Sequence, residues 1–135
     1  MVGLRGTPGQ VEKTIRRVAE LDGTGVTVGF FRDPGQAGKV DVDRMLQALP
    51  GKRVKIVGAT KNKVSFAEVW SSHVEHGRVY VLRGDWNEDF FREAESFPRG
   101  GHDDQVDAVS LAAQLLLGGW ASYADSLREV RFGGI

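Results

Sequence analysis

The chain has 135 residues, a length that suits one domain able to bury about two thirds of its unfolded surface. Lysine plus arginine and aspartate plus glutamate number 18 each, so no gross charge imbalance announces a nucleic-acid or membrane partner, though a local basic channel is compatible with a neutral total. There is no cysteine, which excludes disulfide staples and thiolate zinc sites, and no apolar run of membrane-spanning length or signal-peptide pattern. A soluble, cytoplasmic chain is expected.

In chain order, Thr7-Pro8-Gly9-Gln10 predicts a helix start. Threonine is the N-cap, proline occupies the first helical position and Gln10 completes a capping box. The helix extends to about Leu21, with Val11, Ile15, Val18 and Leu21 on its apolar side, and Asp22-Gly23 stops it. Val26 to Phe31 reads as a buried strand. The loop Arg32 to Lys39 follows and places Asp33 beyond the carboxyl end of that strand, where ligands gather in open α/β sheets. Asp-Pro-Gly there is equally an ordinary turn, and a phosphate loop is not met because Val40 follows Lys39.

A second helix is expected from Val40 to Leu49 and a second strand from Arg53 to Ala59. Lys61 and Lys63 stand just after it, suited to a phosphate backbone or to plain solvation. A helix over Val64 to Glu75 turns Phe66, Val69, Trp70 and Val74 inward. His73 and His76 lack a third ligand nearby for zinc. Arg78 to Leu82 predicts a short strand, and Asp85-Trp86-Asn87-Glu88 a capping box for a helix burying Phe90, Phe91 and Ala94.

The most chemical stretch is Gly100 to Ala108. His102, Asp103, Asp104 and Asp107 crowd the start of a helix whose Val106, Val109, Ala113, Leu116 and Leu117 recur at helical spacing. Asp103 or Asp104 suits the N-cap, but capping needs one carboxylate. Asp103 and Asp107 are an i,i+4 pair and Asp104 and Asp107 an i,i+3 pair, so like charges share a face unless a hard divalent cation relieves them. The tail 118–135 mixes aromatic and charged residues without clear periodicity. Helices alternating with short strands predict an α/β fold with parallel pairs.

Taken together, several of these segments resemble the C-terminal nuclease domain of the large terminase subunit of tailed bacteriophages. They are Thr7-Pro8 with Ala19 to Gly23, Asp33 to Lys39, Lys61 to Lys63, Glu75 to Val79, Trp86-Asn87 with Phe90, and Phe97-Pro98 through Ala108. They occur in the family's order over 7–117, within a single nuclease-like domain of 1–135 and ahead of the tail 118–135.

The resemblance implies a ribonuclease-H-like mixed sheet flanked by helices, in which acidic residues bind two divalent metals, Mg²⁺ or Mn²⁺, and cut double-stranded DNA during genome packaging. On it Asp33 resembles the strand-end acid, and Asp104 with Asp103 or Asp107 the acids of the last helix. Lys39, Lys61, Lys63 and His102 are the DNA-contact candidates. The implied partners are the terminase ATPase domain, the small terminase subunit and the portal, in a bacterial host's cytoplasm.

The family's fold opens with a three-stranded antiparallel unit that carries the first catalytic aspartate, and only six residues precede Thr7. A domain lacking its first three strands is therefore expected, with an incomplete acid cluster and an exposed sheet edge that favours self-association. The alternative is a non-catalytic module that docks DNA or packaging partners. A proofreading-type exonuclease, suggested by the spacing of His102 and Asp107, lacks its Asp-x-Glu opening motif.

Overall fold

The computed structural model describes residues 5–58 and 62–117. Lys61 and the tail 118–135 lie outside the described residues. The chain divides into two compact units, Met1–Thr60 and Lys61–Ile135.

The first unit is built on a strand, a crossover helix and a parallel strand. Helix α1, Pro8–Asp22, starts as its sequence dictates. The Thr7 N–H donates to Gln10 Oε1 at 2.8 Å and the Gln10 N–H to Thr7 Oγ1 at 3.4 Å, and Gly23 at φ +80° ends the helix. Ala19 is buried and Val11, Ile15 and Val18 half-buried, whereas Leu21, expected inward, is 77% exposed.

Strand β1, Thr27–Arg32, pairs in parallel with β2, Arg53–Gly58, in a register of Thr27 with Arg53 through Arg32 with Gly58. This is the sheet of the described residues, two strands in parallel. No β1 side chain is fully buried, so the expected buried strand is half-buried, as suits a strand with one described neighbour.

Helix α2, Gln36–Ala48, connects the two strands as a parallel pair requires. It begins four residues before the expected Val40, taking half of the expected loop into its first turn. Gly35 precedes it at φ +103°, and no side chain caps it, which is why the start is hard to see in the sequence. Arg16 Nε donates to the Ala48 carbonyl at 3.2 Å, tying α1 to the end of α2.

The second unit is helical. Helix α3 is Lys63–Glu75, opened by Asn62, whose Oδ1 accepts from the Ser65 N–H at 3.3 Å. Helix α4 is Asn87–Ser96 and α5 spans 104–117. The core is small: Ala67, Phe90, Val106, Ser110 and Ala113. Val74 and Phe91, expected inward, are 47% exposed each, and Leu116 points out from α5 at 72%. The buried α5 stripe is Val106, Ser110 and Ala113, spaced four and three residues apart.

Two local expectations are corrected here. Arg78 to Leu82 forms no strand, and Asp85 to Glu88 forms no capping box. Asn87 holds the turn before α4: its Oδ1 accepts from the Gly84 N–H at 2.7 Å and its Nδ2 donates to the Leu82 carbonyl at 3.0 Å. Only the carbonyl at the end of the expected strand is thereby taken by a side chain. Trp86, with no side-chain cap bond, stands at the helix start, and Glu88 pairs with Arg92 at 3.0 Å.

Candidate functional site

Helix α5 begins where the acids cluster. Its first backbone bond runs from the Asp107 N–H to the Asp103 carbonyl at 2.8 Å, which makes Asp103 the residue at the cap position. Yet the orphan N–H groups of the first turn do not go to an aspartate. Glu93, on α4, reaches across: its Oε1 accepts the N–H of Gln105 at 2.6 Å and of Val106 at 2.9 Å, while its Oε2 accepts from Gln105 Nε2 at 3.0 Å. The expectation that Asp103 or Asp104 caps its own helix is thus corrected, because a carboxylate from a neighbouring helix already holds those donors.

Released from capping, Asp103 joins Asp107 one turn on. Both carboxylates receive the Lys63 ammonium, Asp103 Oδ2 at 2.8 Å and Asp107 Oδ2 at 2.7 Å. Lys63 is the first residue of α3, so the contact joins the starts of two helices. The hydrogen bonds to Asp103 and then Asp107 hold the ammonium's pKa above its ordinary value, against a smaller opposing effect of burial. The carboxylates are about one-third exposed and the lysine 53%, so the cluster faces solvent. Asp104, in the same turn, is exposed and outside this pair, as is His102 just before it.

The seating of α5 is completed further along. Trp70 Nε1 donates to Ser110 Oγ at 3.0 Å, and Ser110 Oγ–H donates to the Val106 carbonyl at 2.7 Å, with Ser110 1% exposed. Sequence reasoning missed Glu93, Ser110 and the pairing of Lys63. Each contact spans 12 to 40 residues or more with no local pattern to announce it.

In the first unit, Asp33 follows the last residue of β1 and is exposed. It lines an open cleft of about 230 Å³ together with Phe31, Gly38, Asp41 and Arg44 among others. Arg44 pairs with Asp41 at 3.6 Å. Gly38 is buried in the first turn of α2, and a methyl group there would overlap the Asp33 carbonyl oxygen. Lys39 lies exposed in the same turn.

Carboxylate oxygens are donors of the kind a hard divalent cation takes. Two carboxylate oxygens of Asp103 and Asp107 already converge on a cationic group. Among the described residues no group of three acid or histidine side chains gathers at metal-binding separation.

The parallel β-α-β unit of the first part of the chain and the helices of the second define an α/β protein. The family model of the terminase RNaseH-like domain matches residues 5–116, and the chain belongs to that family. The resemblance carried by the ordered motifs is thereby shown, and with it the RNase H-like fold class. Comparison with curated proteins and with solved structures returns no match. Among the described residues no helix is long and apolar enough to cross a membrane.

Proposed function

We propose that this chain is the DNA-cutting domain of a terminase large subunit of a tailed phage or prophage, acting as a metal-dependent endonuclease on double-stranded DNA. The observation that carries the reading is the family match over residues 5–116, with the paired Asp103 and Asp107 carboxylates at the head of α5 among its candidate acids. These two residues would hold Mg²⁺ or Mn²⁺, with Asp104 and Asp33 as further acids of the family's pattern.

When bound, the cation supplies an activated water and neutralises charge developing on the phosphate. The protein's part is to fix the carboxylates one helical turn apart and to present them to solvent. Lys39, Lys61 and His102 would meet DNA phosphates. The partners are those of the packaging machinery: the ATPase domain, the small terminase subunit and the portal, in the host cytoplasm.

The test is nicking of supercoiled plasmid in Mn²⁺, with EDTA, Asp107→Asn and the combined Asp33→Ala, Asp104→Ala and Asp107→Asn variant as separate arms. Cutting that EDTA and Asp107→Asn both abolish supports the reading. Cutting that survives the combined loss of Asp33, Asp104 and Asp107 sinks it. The second reading, a docking module without catalysis, is favoured by the ion pair itself, since Lys63 neutralises one of the two paired acids and links α3 to α5. DNA retained on a gel but never cut, even at high Mn²⁺, is its signature.

A further inference from the structure

Between α3 and α4 the chain runs through Arg78-Val79-Tyr80-Val81-Leu82-Arg83 without helix, strand or turn. Exposure along it alternates: Val79 and Val81 are 39% exposed each, Tyr80 90% and Leu82 85%. That is the period of an extended chain with one side leaning on the protein. The other side holds two large apolar side chains in solvent, two residues apart.

The backbone is open as well. The Arg78 N–H donates to the His73 carbonyl at one end, and the Leu82 carbonyl accepts from Asn87 Nδ2 at the other. Between these anchors the N–H and C=O groups of Val79, Tyr80 and Val81 find no partner among the described residues. The ends are pinned, and the middle offers the hydrogen-bonding groups of a sheet edge.

The flanking charges decide what fits there. Arg78 and Arg83 are exposed, and among the described residues neither makes an ion pair, not even with Glu75 or Asp85, the nearest acids in sequence. A second copy laid antiparallel, with Val79 against Leu82 and Tyr80 against Val81, would set Arg78 against Arg83 at both ends. Like charges directly opposite each other oppose that pairing. A strand with a carboxylate at each end and β-branched residues between meets both guanidinium groups with the opposite charge.

We propose that residues 78–83 are a docking strand, to which an extended, acid-flanked segment of a partner protein adds edge to edge. The backbone of Val79, Tyr80 and Val81 bonds the incoming strand, and Arg78 and Arg83 set its charge pattern. This inference is independent of the metal-binding reading of the aspartates.

The experiment measures fluorescence anisotropy of the labelled peptide acetyl-Glu-Val-Thr-Val-Thr-Glu-amide with the full chain. Its comparisons are the same peptide with lysine for both glutamates and a short labelled DNA duplex. The glutamate peptide is expected to bind roughly tenfold more tightly than the lysine peptide, the swing expected when two part-exposed attractions become repulsions. The double variant Arg78→Glu, Arg83→Glu is expected to reverse that preference, a result that a misfolded chain would not give. In the natural chain, the glutamate peptide is also expected to slow amide hydrogen exchange at Val79, Tyr80 and Val81 several-fold, a readout that needs no variant.

No binding of the glutamate peptide, equal binding of both peptides, a double variant that keeps the natural preference, or exchange at 79–81 indifferent to the peptide overturns the proposal. Duplex binding that the double variant loses, with neither peptide bound, overturns it in favour of a DNA contact.

Discussion

Glu93 is the residue on which the acid cluster depends. By accepting two backbone N–H groups of α5 from another helix, it leaves three aspartates at that helix end free of the duty their position suggests. Replacing it by Ala orphans both donors. The expected loss is about 1–2 kcal/mol of unfolding free energy, measured by urea denaturation, with Glu93→Gln recovering part of it through its remaining acceptor oxygen. Ser110→Ala is expected to destabilise by about 1–3 kcal/mol, since it leaves the Trp70 indole N–H unpaired at a part-buried contact.

For Lys63 the sign is fixed by the direction of its shift. A pKa raised in the folded state means that the ammonium's contribution is complete below about pH 10 and is lost only as pH climbs through the raised value. The difference in melting temperature between Lys63→Met and the natural chain is therefore expected to gain no pH dependence from the ammonium between about pH 6 and 9, and to shrink only in stronger alkali. A difference that vanishes near neutrality would place its origin elsewhere.

The elements that could be read from the sequence are those whose determinants are local. The Thr7-Pro8-Gly9-Gln10 box forms as written, the first strand falls within a residue of its expected ends, and the second starts at the expected Arg53, its expected last residue Ala59 lying outside the described residues. The early start of α2 was hidden because Gly35 carries no capping side chain, and its first turn is positioned by contact with Asp33. That contact makes Gly38 a test of the element: Gly38→Ala is expected to cost about 1–3 kcal/mol and to shift the strand-end loop, because the obstructing atoms are backbone and cannot rotate away. A thermal melt within a degree of the natural chain would contradict it. The missing strand at 78–82 shows the opposite failure. A β-rich composition did not suffice, since among the described residues the segment pairs with no strand, and its last carbonyl goes to the Asn87 side chain.

For the whole molecule, the ordered motifs carried more than any one of them. The family match over 5–116 agrees with segments that are each weak alone. The position of the acids was legible, since three aspartates at a helix start are visible in any reading. Their state was not: the cap from Glu93 and the ammonium from Lys63 arrive through tertiary packing across 12 or more residues. The site thus combines a carboxylate pair written locally with a cation and a cap supplied from elsewhere in the second unit.

The most direct measurement is plasmid nicking by the full chain in Mn²⁺, comparing the natural sequence with Asp107→Asn at equal DNA binding. Nicking that requires Mn²⁺ and falls by a factor of 100 or more in the variant, on the order of a lost catalytic interaction, is the expected result. Equal nicking by both chains would contradict a metal centre at the head of α5, and DNA binding without nicking by either would leave a docking module in its place.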